Sequence, residues 1–350
     1  MPHATPVPTI TITAISASTV RVTRWAPVSA SESAGISPGY WGDGRKPGSR
    51  NRRARLVCVA ARIVITGAGG QVGRFLAGEA ARRGHEVSAL THRQWDIADP
   101  AAAQRFITEG DLVVNCAAIT DVDAAEADPD TAYAVNTGGA ENIAHACARV
   151  GAQLVHISTD YVFSGEQRHP YEVGDETAPC NVYGRTKLAG ELAVLAAMPD
   201  AHVVRTSWVY TGGAGTDVVA GLRRLAATEA TVDAVDDQIG SPTYVKDLVD
   251  ALLQIGLGSM REPVLHVADE GACTRYEQAR AVFEELGADP DRVRPVSSAQ
   301  SARRAPRPAY SALSMAMSVR AGVSPPRPWR AALAEALAQP VDDGQLPSTP

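Results

Sequence analysis

The chain lacks a CxxC pair, a long apolar run and any clustering of its eight histidines. Its five cysteines, Cys58, Cys116, Cys147, Cys180 and Cys273, are odd in number and scattered. That argues against a disulfide framework or a zinc site and fits a reducing, cytoplasmic compartment. No apolar stretch approaches the ~20 residues that span a bilayer, so no membrane partner is expected. The histidines show no ligand spacing, and the adjacent Asp236 and Asp237 read as solvated loop acids, so no metal is assigned. No internal repeat is detectable.

Charge is unevenly spread. The net charge is −6, but residues 1–61 carry +6, which leaves −12 on the remainder. An acidic body excludes nucleic acid as the main partner, because phosphate neutralisation needs clustered cations. The basic segment is rich in Ser, Thr, Pro and Gly and lacks apolar periodicity, so it is expected to be disordered. It reads as an extension upstream of a true start near Val57 or Val59. A targeting peptide is the alternative, given its Arg-rich, acid-poor composition.

From residue 62 the pattern changes. Short β-branched runs at 62–66, 86–91, 111–117, 153–158 and 202–207 alternate with helical stretches at 71–84 and 130–150. Five- or six-residue strands between helices of a dozen or more indicate an α/β fold, a Rossmann-type doubly wound parallel sheet. The sequence predicts this dinucleotide-binding domain over 62–210, with 236–256 contributing. A smaller C-terminal substrate-binding lobe is predicted over 211–338, with helices at 217–229, 245–256, 275–287 and 328–337. A frayed tail follows from 339.

TGAGGQVG (66–73) directly follows the first strand and opens a helix. Glycine lets a backbone turn sharply and approach a pyrophosphate, while the helix start offers free N–H groups. Gly67, Gly70, Gln71, Val72 and Gly73 are therefore expected at a nicotinamide dinucleotide. A glycine triplet alone is weak; the strand-turn-helix setting gives it weight. No acid stands at the end of the second strand, where Arg93 occurs instead. Arg93 suits a 2′-phosphate, which favours NADPH over NADH, but it reads equally as a solvated loop residue.

YGRTK (183–187) starts a helix whose apolar face is predicted at Leu188, Leu192 and Leu195. Tyr183 and Lys187, four apart, share a helix face. Ketone reduction needs a proton donor, and an ammonium beside a phenol would lower its pKa from about 10. STD (158–160) ends a predicted strand, so Thr159 could donate to the substrate carbonyl. Its plainer reading is a capping hydroxyl, and that of YxxxK an ordinary helix start. In this order, after a glycine turn, chance is a poor account. Trp208 fits either the core or a stacking surface for a sugar.

ITGAGGQVG (65–73), WDI (95–97), VVNCAAITDVDAAE (113–126), YAVNT (133–137), STDYVFSG (158–165), YGRTK, RTSWVY (205–210) and DQIGSPT (237–243) together resemble the dTDP-4-dehydrorhamnose reductase family of the extended short-chain dehydrogenase/reductase superfamily. The resemblance spans roughly 62–337. It implies reduction of the 4-keto group of a dTDP-sugar substrate by NADPH, with NADH open, through Thr159, Tyr183 and Lys187. It also implies Asp96 and Ile97 near the adenine and Ala117 and Ala118 beside the cofactor. Asp160, Val162 and Trp208 would face the sugar, Gln238, Gly240 and Pro242 the nucleotide, and Arg307 the substrate. Where family members with a metal-bridged dimer carry Glu, this chain has Phe75, which speaks against a magnesium-linked dimer and leaves monomer or homodimer open. An Asn-Phe pair usual after RTSWVY is replaced within GTDVV (215–219). Another nucleotide-sugar 4-ketoreductase remains an alternative. A regulatory NADP-binding subunit is a third reading, against which the complete trio argues.

Overall fold

Five residues, Arg62–Thr66, form β1, and their β-branched side chains are buried on both faces. The computed structural model describes residues 60–213, 215–300 and 303–340. The basic extension expected over 1–61 thus lies outside the described residues but for its last two, as does the tail beyond 340.

The chain continues through α1 (Gln71–Arg82), β2 (Glu86–Leu90), β3 (Leu112–Asn115), α2 (Val122–Ala127), α3 (Pro129–Tyr133), α4 (Ala140–Val150), β4 (Gln153–Thr159), α5 (Val182–Ala197) and β5 (His202–Thr206). Then come β6 (Val209–Tyr210), α6 (Val218–Ala226), β7 (Val232–Val235), β8 (Ile239–Gly240), β9 (Thr243–Tyr244), α7 (Val245–Leu257) and β10 (Val264–His266). Last are β11 (Cys273–Thr274), α8 (Arg275–Glu285), β12 (Val293–Val296), α9 (Ala316–Arg320) and α10 (Trp329–Ala338).

Six strands make one parallel sheet in the order β10-β5-β4-β3-β1-β2. The period-2 alternation of a strand sends neighbouring side chains to opposite layers. Ile63 and Ile65 join Leu112, Val114 and Val155 in a core that includes Leu248 and Leu252 of α7. Val64, Val113 and Leu154 face the other way, onto Ile143 and Cys147 of α4. Helices on both faces are what a parallel sheet requires. The sixth strand, β10, comes from within the segment expected to form the second lobe. Outside the large sheet, β7 pairs with β12, β6 with β9 and β8 with β11. No described helix is long and apolar enough to cross a membrane.

Two local expectations need correction. The helix predicted over 130–150 is divided by a π-helical turn, Ala134–Gly139, between α3 and α4. The wider turn accommodates Asn136, whose side chain bonds the Ile119 backbone and Thr186 instead of solvent. On α5, Leu192 is exposed (63%), and the buried face runs through Gly184, Thr186, Lys187, Gly190, Glu191 and Val194. Leu188 and Leu195 pack partly against buried clusters, but much of the inner face is polar or small, so the apolar spacing mispredicts Leu192.

Ile63 tests the core. Ile63→Ala should lower unfolding free energy by about 2–5 kcal/mol, read from urea denaturation. A loss below about 1 kcal/mol would show that the interior between β1 and α7 is not tightly packed.

Candidate active site

The sheet order reverses at β1, since β2 lies on one side and β3 on the other. Loops leaving the two strands part there and open a crevice beyond their C-terminal ends. Gly67 follows β1 with φ +61°, and a Cβ on it would lie 2.7 Å from the Ala117 backbone. Only glycine meets both demands. A Cβ on Gly73 would sit 2.6 Å from the Gly67 carbonyl oxygen, so α1 packs directly on the turn. Gly70 caps α1 without a side-chain hydrogen bond, and the first turn holds no acid. Its first N–H groups therefore have no side-chain cap, as an anion-binding helix start requires.

A cleft of about 650 Å³ extends from this turn. Gly67, Gly70, Gln71, Val72, Gly73, Ile97, Ala117 and Ala118 line it, and so do Thr159, Asp160, Tyr183, Lys187 and Trp208. A cradle that a Cβ would fill, free helix N–H groups and apolar flanks fit a dinucleotide.

Tyr183 and Lys187 reach the cleft because α5 docks closely. Asn181 caps it by accepting from the Gly184 N–H at 2.8 Å. A Cβ on Gly184 would lie 2.1 Å from the Tyr161 carbonyl oxygen, and one on Gly190 would lie 2.3 Å from that of Asn136. Burial raises the Tyr183 phenol well above its ordinary range, opposed in part by its hydrogen bond with Thr159. Burial likewise lowers the Lys187 ammonium to about 8, against the pull of Glu191. Lys187 Nζ donates to the Ile157 carbonyl at 2.6 Å and lies 3.5 Å from His156 Nε2. The expected lowering of the phenol by the lysine is thus not what this arrangement does. Desolvation governs both groups.

Thr159 closes the trio. Its hydroxyl donates to Asp160 at 3.0 Å and accepts from the Tyr161 N–H at 3.2 Å. Asp160 also accepts from Ser207 at 2.9 Å, while burial raises its carboxyl above the ordinary range. Behind it lies a buried ion pair: Arg205 donates to Glu191 through Nε (2.9 Å) and Nη2 (2.7 Å), and the Ser158 hydroxyl donates to the same carboxylate at 2.5 Å.

Other expected residues lie elsewhere. Arg93 is exposed and outside the lining, where its neighbour His92 stands instead. Asp96 is also exposed and accepts from the Ala98 N–H. Val162 is fully buried with Phe163, Tyr171 and Leu313, so its side chain does not face the cleft. Gln238, Gly240 and Pro242 are outside the lining. A Cβ on Gly240 would fall 2.3 Å from Trp208 Cε2, which makes this glycine a seat for the indole. Arg307 makes a two-pronged pair with Asp123 of α2, both contacts 2.7 Å, and so ties the C-terminal segment down. Cys116, Ile119, Thr120 and Ser158 line the cleft without having been singled out, although all four sit inside the quoted motifs.

The model of the RmlD substrate binding domain matches residues 61–341. A dTDP-4-dehydrorhamnose reductase of Mycolicibacterium smegmatis is 59% identical over 320 residues, covering 90% of this chain and 98% of that protein. One from Mycobacterium tuberculosis is 61% identical over 296 residues, 82% of this chain and 97% of that protein. Among solved structures, a dTDP-4-dehydrorhamnose reductase of Clostridium acetobutylicum superposes with a TM-score of 0.74 at 36% identity, covering 79% of this chain and 98% of that one. A Bacillus anthracis dTDP-4-dehydrorhamnose reductase in complex with NADP gives 0.73 at 35% identity, over 79% and 97%.

The Glu191–Arg205 pair makes a sharp test. Glu191→Ala leaves a buried guanidinium without its counter-charge and should destabilise the protein by about 3–5 kcal/mol. Replacing both residues by methionine should recover much of that loss in thermal denaturation. Equal losses for the single and double variants would show that the pair itself is not the source.

Proposed function

The chain belongs to the family defined by the RmlD substrate binding domain, and from that premise we propose a division of labour among its cleft residues. It is an NADPH-dependent oxidoreductase that reduces the 4-keto group of dTDP-4-dehydro-L-rhamnose to give dTDP-L-rhamnose. The observation that carries the residue assignments is the convergence of Thr159, Tyr183 and Lys187 on the cleft that also contains the glycine turn.

NADPH, when bound, supplies the hydride that reaches C4. Gly67, Gly70, Gln71, Val72 and Gly73 would hold its pyrophosphate through backbone N–H groups at the start of α1. Ile97, Ala117 and Ala118 would flank it. Lys187 would hold the nicotinamide-side ribose.

Tyr183 gives its proton to the C4 oxygen as negative charge builds there. Burial keeps the phenol protonated across the neutral range, so the donor form is the resident one. The Thr159 hydroxyl hydrogen now rests on Asp160; rotating it towards the substrate oxygen adds a second donor to the developing oxyanion. The phenolate left on Tyr183 regains a proton from solvent, which balances the reaction. Asp160 and Trp208 line the sugar side. Val162, Gly240 and Arg307 act through the residues they support.

We place the enzyme in the cytoplasm, as a monomer or homodimer, with no nucleic-acid or membrane partner. Its acidic body and scattered cysteines support that placement, and one chain supplies every residue of the proposed site.

Tyr183→Phe keeps the ring and removes the acidic proton. Turnover of dTDP-4-dehydro-L-rhamnose, followed by NADPH absorbance, should fall by about 10²–10⁴-fold. NADPH affinity, measured by fluorescence titration, should hold within about threefold, since only a hydroxyl is lost. Retained turnover would remove Tyr183 from the role of proton donor.

A further inference from the structure

Behind the cleft, β3 and β4 carry two buried side chains that the reduction itself does not employ, one of them, His156, beside Lys187. Asn115 and His156 are register partners on adjacent strands. Asn115 Oδ1 accepts from the Ala117 N–H at 3.1 Å and from the Thr66 hydroxyl at 2.6 Å. A peptide N–H can only donate, so the amide end it meets is the oxygen. The other end, the NH₂, lies 3.0 Å from His156 Nδ1 and can only donate in turn. Nδ1 must therefore present its lone pair. A neutral imidazole bare at Nδ1 carries its hydrogen on Nε2, and Nε2 is the atom 3.5 Å from Lys187 Nζ. An imidazolium would set N–H against N–H at Asn115. Burial also holds the ring's proton affinity well below the ordinary histidine range.

We propose that His156, locked by Asn115 in the Nε2–H tautomer, is a positioning residue for Lys187: it presents the lysine nitrogen with a donor and so favours the free amine over the ammonium. An ammonium has no lone pair to receive that hydrogen, whereas an amine has one. The other groups around Lys187 are few. Glu191 on the same helix favours the ammonium, but Arg205 of β5 shares its carboxylate. Cys116, directly after β3, is a thiol that burial pushes up to about 12, hence uncharged. Tyr183 stands one turn earlier as a neutral phenol, and the Ile157 carbonyl of β4 takes one amine hydrogen. With burial dominant, the lysine titrates at about 8, within reach of physiological conditions.

The proposal rests on reading Lys187 as the side chain that serves the cofactor, but its first test needs neither substrate nor turnover. In the full chain labelled with ¹⁵N-histidine, the His156 ring should show a protonated Nε2 and a bare Nδ1, unchanged between about pH 6 and 9. A hydrogen on Nδ1, or titration to imidazolium in that window, overturns the proposal even if the protein is a fully active reductase. The second test is His156→Gln, uncharged and able to turn its carbonyl oxygen to the ammonium. Activity that needs the ammonium falls as pH rises through the lysine's pKa, so the alkaline limb of the rate profile should move upward by about one pH unit. The KM for the sugar nucleotide should change by less than about twofold. An unmoved limb with a general fall in rate makes His156 a packing residue and overturns the proposal. If the variant does not fold, the ring spectrum of the native protein decides the question.

Discussion

The close approach of α5 to the chain just after β4 and to the π-helical turn at Asn136 is the constraint on which the site depends. Gly184 and Gly190 let the helix lie against the Tyr161 and Asn136 carbonyls at distances that no side chain would permit. Once there, the helix is held by polar contacts as well as by apolar packing of Val182 and Val194. Glu191 meets Arg205 and Ser158, Lys187 meets the Ile157 carbonyl, and Thr186 meets Asn136. Each contact is directional, so the helix is fixed in rotation as well as in distance. That rotation carries Tyr183 and Lys187 to the cleft wall.

The same burial that makes this seam rigid sets its chemistry. In a desolvated setting the uncharged form of each titratable group is favoured, whatever its sign. Tyr183 therefore stays a phenol, Lys187 drifts towards its amine, Asp160 towards its acid, and His156 remains neutral. Glu191 and Arg205, both buried, instead form a close ion pair in the interior. A reductase benefits from this bias, because the reacting ketone must meet a donor that still has its proton.

Much of this was legible in the sequence where local rules act. The five strands expected from β-branched runs appear within a residue or two, and the glycine turn opens α1 as its spacing implies. Legibility failed where a long-range contact overrode a local pattern. Leu188 and Leu195 do pack against buried clusters, but Leu192 is exposed: at the neighbouring sheet end Ser158 and Arg205 bind Glu191, and the Ile157 carbonyl binds Lys187. The π-helical turn around Asn136 was hidden for the same reason, since its partner Thr186 is 50 residues away. The β10 strand, three residues long, lies below the length at which periodicity carries information.

Trp208 shows how a motif residue acquires its role from neighbours distant in sequence. It is the one non-glycine residue with positive φ, +47°, among the described residues, a conformation that costs about 1–3 kcal/mol. Such strain persists only where surrounding structure determines the position. Here the Arg275 guanidinium lies 3.3 Å from the centroid of the indole ring, and Gly240 sits against the same side chain. A cation on an aromatic ring contributes about 0.5–2 kcal/mol, comparable to the strain it helps to offset. The three residues belong to separate segments, RTSWVY, DQIGSPT and the start of α8, which explains why they had to be read together. Gly240 is then required for the space it leaves, and the indole it seats is the part of that group that lines the cleft.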